Sequence, residues 1–435
     1  MNEYIIVLYF FIFLIQNTVA YREYEIDQEV CFKEEGSFHN DCSQIENNNE
    51  RYIFYDVNPS EGFNLRRDVY RRFAVLARHL ANSNNPKLKN FKLVLPPWSH
   101  LYHWTYSDEA ELIPWGYYFD VSSLKAFAPV IEMYEFFQEQ HKPGKHLTII
   151  DEVYVMKNWD EMMRSGNFIN KLEVLKCDQK EPISYFYYTN VTSNNVKCMR
   201  FHGPSTLLTE ILAASSAKTI LFAHAEVALH PTFGDSLYWT ARRSLRYNKE
   251  MKAVANAFRE RHLSSTNEAD NIHLADNWQD DKPRRNATGG PYLAVHMRRR
   301  DFFFGRPREL PTIEFVAKQI SMNLQKLGLS VVFLATDAPP SDVEALKYYL
   351  PKNVILVKFT PETRFVEHYK DGGTAIIDQL LCAHARYFIG TGESTFTFRI
   401  FEEREILGFP QEATFNILCA NENNCKKPTV WKIVY

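Results

Sequence analysis

The run Tyr292-Leu293-Ala294-Val295 constrains the fold more than any other stretch. Four apolar residues in succession leave no face for solvent, so they read as a strand covered on both sides, as in a parallel sheet between helices. Gly289-Gly290-Pro291 punctuates it upstream. Downstream comes His296-Met297-Arg298-Arg299-Arg300-Asp301, at the strand's carboxyl end, where open α/β sheets collect their ligands. Fixed guanidinium charges beside a histidine suit a phosphorylated ligand. A solvated basic strand end is the other reading. Because side chains alternate about a strand, Arg299 can face away and serve packing or ion pairing.

The rest of the second half repeats the alternation. Strands are expected at Val331–Ala335, Val354–Val357 and Tyr387–Ile389, with helices around Thr312–Leu327, Asp342–Leu350, Thr374–Ala385 and Thr395–Arg404. The first half opens in the same way, with a strand at Tyr52–Tyr55 and a turn-rich loop from Asp56 to Phe63. Leu65, Val69, Phe73, Leu76, Ala77 and Leu80 then recur at helical spacing. Further strands are expected at Phe91–Leu95, Leu147–Tyr154 and Thr219–Phe222, and one long charged helix from Ser236 to His262 precedes a polar linker at Asn277–Pro291. At 435 residues the chain exceeds one ordinary core. The fold class is therefore α/β, with two Rossmann-like domains, 51–262 and 263–435, facing across a cleft. An aromatic stretch from Trp98 to Tyr118 serves either packing or as a wall of that cleft. No glycine-rich dinucleotide fingerprint follows the first strand, which disfavours a nicotinamide or flavin enzyme.

Residues 1–20 read as a secretory leader, with an apolar block from Tyr4 to Ile15 and cleavage after Ala20; 21–50 form a polar extension. No later run is long enough to span a bilayer. Sequons at Asn190 and Asn286 fit entry into the secretory pathway. The cysteines fall into the near pairs Cys31–Cys42, Cys177–Cys198 and Cys419–Cys425, leaving Cys382 in an apolar stretch as a buried thiol. None has zinc-ligand spacing. The formal net charge of −3 carries no nucleic-acid signature, so an anion site must be local.

A second candidate site is Gly390-Thr391-Gly392-Glu393-Ser394-Thr395-Phe396, between a strand and a helix. Its glycines permit a tight turn, and Ser394 and Thr395 can cap the helix and donate to a phosphate along with backbone N–H groups. A plain helix cap is the alternative. Asp378 lies in the otherwise apolar Ile376–Leu381, so its carboxylate needs an exposed face or a partner. The ring N–H and amino group of a guanine would be one such partner. Asp337 also sits at the carboxyl end of a strand, where a structural role is equally open.

Pro59-Ser60-Glu61-Gly62-Phe63-Asn64-Leu65-Arg66-Arg67, His296-x-Arg298-Arg299-x-Asp301 and Ser394-Thr395-Phe396 together resemble the GDP-fucose protein O-fucosyltransferases. Leu93–Trp98, Lys370–Gly373 and Phe398–Ile400 extend the resemblance, which runs from about Arg51 to Tyr435 and is nearest to the members that modify thrombospondin type 1 repeats. The resemblance implies a GT-B fold and an inverting transfer of L-fucose from GDP-β-L-fucose to Ser or Thr in a folded, disulfide-bonded repeat. It implies an endoplasmic reticulum lumen location, the Golgi being a second compartment; a monomer with no nucleic-acid partner is expected besides. It places Glu61 on the family's proposed catalytic base, Arg298 on its pyrophosphate-binding arginine with His296 beside it, and Asp378 on a guanine contact. Thr395 and Phe396 fall on nucleotide contacts, and Ser60, Gly62, Phe63, Asn64, Met297 and Ser394 complete the expected donor-binding set. Ser60 departs from a common second proline, and Glu393 puts an acid beside the phosphates, so its side chain is expected to point away.

From its neighbours alone, Glu61 could instead stabilise the dipole of the helix beginning near Leu65, worth about 0.3–1 kcal/mol. A carboxylate so placed would be a weak base. No Asp-x-Asp occurs, so charge on the leaving phosphate falls to Arg298 and the Ser394–Phe396 helix start, and no metal or other cofactor is expected. Transfer to EGF-like repeats, and a catalytically inactive binder of the same fold, are the alternative functions.

Overall fold

The computed structural model describes residues 49–101, 104, 111–140, 149–177, 183–186, 188, 190–193, 195–423, 425 and 428–435. The expected leader, nearly all of the polar extension and the Cys31–Cys42 pairing lie outside the described residues.

The first half lays down β1 (Arg51–Tyr55), β2 (Phe91–Leu95), β3 (Val130–Glu132), β4 (Glu152–Lys157) and β5 (Lys171–Lys176). A two-stranded ribbon of β6 (Ile183–Phe186) and β7 (Asn190–Ser193) follows, then β8 (Val196–His202) and β9 (Thr219–Ala223). Seven of these form one sheet in the order β3-β2-β1-β9-β4-β8-β5. It is parallel except for β5, which runs antiparallel along β8 and is tied to it by the Cys177–Cys198 disulfide. The second half contributes β10 (Gly290–Met297), β11 (Val331–Thr336), β12 (Ile355–Val357), β13 (Ala385–Thr391) and β14 (Ile417–Leu418), all parallel, in the order β12-β11-β10-β13-β14. The chain therefore reverses its direction of winding between β10 and β13, and the crevice that such a reversal opens is the standard ligand position of a doubly wound sheet.

The apolar run that anchored the sequence reading is β10, whose residues from Tyr292 to Met297 are all buried. Alternation sorts them: Leu293, Val295 and Met297 pack with Val316 and Ile320 on one face, while Tyr292 and Ala294 join the larger core on the other.

Two expected helices differ. The stretch from Ser236 to His262 is two helices, Ser236–Ser244 and Lys249–Leu263. The chain leaves helical geometry at Leu245, Tyr247 bridges antiparallel to Phe119, and Asn248 caps the second helix by accepting the Met251 N–H at 2.8 Å. That second helix, placed by sequence at the end of the first domain, packs on the second half through Phe258 against Phe333 and Phe359. The helix expected from Thr374 begins at Thr363 and is broken at Lys370, where φ is 51°. Just beyond, a Cβ on Gly372 would stand 2.6 Å from the Tyr118 ring, so only glycine allows the two halves to approach there.

The two halves share one compact unit, Asn49–Tyr435, and one continuous core runs from Ile53 and Phe73 to Phe388 and Phe401. Beside it lies a buried ionic seam. Glu402 accepts from Arg71 at 3.0 Å, Arg242 at 2.8 Å and Tyr238, with Arg399 at 3.1 Å; Asp68 pairs with Arg71 and Arg72. Burial alone would raise Glu402, but the three guanidiniums outweigh it and hold the carboxyl at about 2. Cys419 and Cys425 are paired, and Cys382 is a buried free thiol, as expected. Asn286 is exposed, as a sequon requires, and Asn190 begins β7. Among the described residues no helix is long and apolar enough to cross a membrane.

Candidate active site at the cleft between the halves

A cavity of about 630 Å³ opens where the loop after β1 faces the carboxyl ends of β10, β11, β12 and β13. It brings together Ser60, Glu61, Gly62, Phe63 and Asn64 from the first half with His296, Arg298, Asp378, Ser394, Thr395 and Phe396 from the second. Of the expected donor-binding set only Met297 stays out. It has the parity of Leu293 and Val295 and is buried in the core, leaving its carbonyl to accept from Thr336 Oγ1 at 2.5 Å.

Glu61 precedes the Phe63–Ala81 helix, whose N-cap is Gly62. Arg66, one turn into that helix, reaches back to the Glu61 carbonyl at 3.1 Å and to the Ser99 carbonyl at 2.9 Å, which fixes the loop. The Ser60 hydroxyl and N–H both donate to Asn58 Oδ1. Burial, seconded by the nearby Glu226 carboxylate, raises the Glu61 pKa against the pull of Arg66. Glu61 is thus a stronger base than its position at a helix start suggested.

Arg298 is clamped from two sides, its Nε donating to Asp301 at 2.8 Å and its Nη1 lying 3.0 Å from Asp337. Its backbone N–H donates to Thr391 Oγ1 at 2.8 Å, tying β10 to β13. Arg299 faces away, as alternation foresaw: it bonds Asp342 and the Pro311 carbonyl and lies over the Phe303 ring. His296 is buried, its Nδ1 2.8 Å from Thr397 Oγ1 and its ring stacked on Phe396 at 4.4 Å. Burial and the neighbouring Arg298 drop its pKa to about 3, so it sits in the site as a neutral imidazole.

At the turn after β13, the left-handed residue is Glu393 (φ 56°), with its side chain exposed at the cavity rim, and neither Gly390 nor Gly392 has a positive φ. Gly390 is needed for another reason: a Cβ there would meet Thr397 Oγ1 at 2.6 Å, displacing the hydroxyl that holds His296. Ser394 is the N-cap of the Thr395–Leu407 helix but makes no side-chain capping bond. The first backbone N–H groups of that helix start beside the cavity wall, a ready anion site.

Asp378 is half-buried on the opposite wall. Its Oδ1 is sealed from solvent with no hydrogen-bond partner, and burial pushes the carboxyl up to about 8 despite Lys358 nearby. Its Oδ1 is thus an acceptor without a donor, on a group that is mainly the neutral acid at pH 7. Trp104 and Lys358 also line the cavity, whereas Trp98, Trp115 and Tyr118 of the aromatic stretch are buried in the core. Glu226 and Lys358 escaped the sequence reading. Lys358 follows directly on β12 and obeys the same strand-end rule as Arg298; Glu226 follows β9 and could have been found in the same way. Among the described residues no group of three His, Cys, Asp or Glu is disposed to hold a metal ion.

The model of the family described as GDP-fucose protein O-fucosyltransferase matches residues 52–407, spanning both halves and the whole cavity. The chain belongs to the GDP-fucose protein O-fucosyltransferase family. It is 42% identical over 402 residues to GDP-fucose protein O-fucosyltransferase 2 of Caenorhabditis elegans, covering 89% of this chain and 91% of that one. It is 41% identical over 399 residues to the protein of the same name from Homo sapiens, covering 88% and 90%. In fold it is similar to POFUT1 crystallised with GDP-fucose, with a TM-score of 0.53 at 15% identity over 86% of this chain and 98% of that chain. The architecture is GT-B, and as a member of this family the chain is a glycosyltransferase.

Proposed function

We propose that this protein transfers L-fucose from GDP-fucose, with inversion at the anomeric carbon, to a Ser or Thr hydroxyl of folded thrombospondin type 1 repeats in the lumen of the endoplasmic reticulum. One observation carries the chemistry: Glu61, its basicity raised by burial, lies in the same cavity as Arg298 and an uncapped helix start from the other half. Inversion needs this opposition, with a base on the acceptor side and positive charge on the leaving-group side.

Glu61 takes the acceptor proton as the hydroxyl oxygen bonds to the fucose carbon and the bond to the β-phosphate oxygen breaks. Negative charge grows on that phosphate. Arg298, held by Asp301 and Asp337, meets it with an already oriented guanidinium, and the helix N–H groups at Thr395 share the load. No divalent metal enters the scheme. Asp378 receives the ring N–H and amino group of guanine, the two donors its stranded carboxyl can accept. Neutral His296 orients the phosphates without adding charge. The two relatives above align with this chain over 88–91% of each length and carry the name GDP-fucose protein O-fucosyltransferase 2. The choice of thrombospondin repeats over EGF-like repeats rests on the sequence resemblance from Arg51 to Tyr435.

The test is incubation of the purified protein and Glu61→Ala with GDP-fucose and either folded or reduced thrombospondin repeats, with folded EGF-like repeats alongside, read by mass spectrometry. Transfer to the folded thrombospondin repeat alone, abolished by the variant, is expected. Transfer confined to EGF-like repeats would overturn the acceptor. Donor binding with no transfer to any repeat would overturn the enzymatic reading in favour of an inactive binder.

A further inference from the structure

A second cavity, of about 480 Å³, adjoins the first along the start of the Phe63–Ala81 helix. The two share Asn64, Leu65, Glu393 and Thr395 as walls, so the new cavity begins within four residues of Glu61. Its character is different. Phe398, Ile417, Leu418 and Trp431 make it largely apolar, and Phe233 stands at it 60% exposed, an aromatic ring left in water. Arg399 also lines it, almost fully buried, its guanidinium held by Glu402 at 3.1 Å and Asp68 at 3.5 Å. The hollow therefore offers mainly apolar surface, with an exposed ring that burial under a ligand would stabilise.

We propose that this cavity is a subsite for the protein acceptor, taking an apolar side chain that flanks the hydroxyl residue and covering the exposed Phe233 ring. The inference rests on the transfer reading above. The hydroxyl must lie between Glu61 and the donor, so the chain on either side of it must leave across surfaces continuous with the donor cavity, and this cavity is one of them. Glu309 and Glu393, both exposed, line it and disfavour an acidic flank. The subsite therefore selects acceptors whose flanking residue is apolar and neutral.

The experiment uses the full-length enzyme with Phe233→Ala and, separately, Thr429→Trp, which places an indole at an exposed position of the cavity lining. Neither residue touches the donor cavity. Acceptor KM for the folded repeat is expected to rise about tenfold for Thr429→Trp and several-fold for Phe233→Ala, tenfold being about 1.4 kcal/mol. GDP affinity, slow GDP-fucose hydrolysis, melting temperature and kcat at saturating acceptor should stay within about twofold, the mark of an acceptor-binding effect alone. Acceptor KM unchanged in both variants, with wild-type transfer intact, would overturn the subsite. A wild-type enzyme that fucosylates no folded repeat would instead overturn the transfer reading and the subsite with it.

Discussion

Asp378 makes the donor site sensitive to pH in a direction that can be worked out in advance. In the empty protein burial holds its carboxyl at about 8, so at pH 7 roughly one molecule in ten carries the charge. Guanine offers two donors, which favour the ionised form, so binding must expel a proton. Affinity for GDP should then rise about five- to tenfold between pH 7 and 8.5, the tenfold limit being worth about 1.4 kcal/mol. The nucleotide's own terminal phosphate, with its last ionisation near 6, is already charged across that window. Titration calorimetry in two buffers of different ionisation enthalpy at pH 7 should register release of nearly one proton. Asp378→Asn should flatten the pH slope and weaken GDP by about 10- to 100-fold, the range for bonds to a charged acceptor. An affinity for GDP independent of pH in the wild type, with no proton released, would refute the reasoning. The same shift acts on the fold with the opposite benefit. A carboxyl raised in the native state contributes stability that is lost as pH climbs from the ordinary carboxylate range through about 8. The Asn variant should therefore melt higher than wild type at pH 8 while binding worse.

Glu61→Gln should keep GDP affinity and lose transfer by about 10²- to 10⁴-fold. In the wild type the acid limb of kcat/KM should lie above the ordinary glutamate range, and Glu226→Gln, by removing a like charge, should move that limb to lower pH; an unmoved limb would exclude Glu61 as the titrating base. Arg298→Lys should lower kcat by about 10²- to 10³-fold, since an ammonium cannot hold both Asp301 and Asp337 and still present a fork to phosphate. Near-wild-type turnover would dismiss the clamp. Transfer by metal-stripped enzyme in EDTA should match the untreated rate; an absolute demand for added Mn²⁺ would overturn the metal-free scheme. Glu402→Gln leaves Arg71, Arg242 and Arg399 facing one another in the core and should cost about 3–5 kcal/mol of stability by denaturant unfolding.

Much of the donor site was legible because it obeys one rule. Parallel strands β10, β11 and β13 end nearly level, with β12 stopping three residues short of the end of β11, and the residues past the ends, Arg298, Asp337, Lys358 and Ser394, line one cavity whatever lies between them in sequence. Met297 shows the limit of reading a motif as a block: the alternation that correctly turned Arg299 away also turns Met297 into the core. The division of Ser236–His262 was written in Asn248, a helix cap overlooked because the flanking residues are strong helix formers. Strand β5 was legible in its alternation Lys171-Leu172-Glu173-Val174 but was not recognised; it lies at a sheet edge with most residues exposed. Departures of pKa at Glu61 and Asp378 depend on how deeply each carboxyl is enclosed, which no local sequence encodes.

The seam around Glu402 gives the cleft something that a hinge would remove, a constant width. Its two walls share a core and a buried network of ion pairs, so parting them would break buried contacts that a client's binding would have to replace. A partly folded chain has no dimension that such a jaw can register, whereas a finished repeat presents the same caliper reading every time. If the acceptor is a folded repeat, this enzyme needs no sensor of folding at all: a rigid gap is already a go/no-go gauge, and failure to fit is the signal.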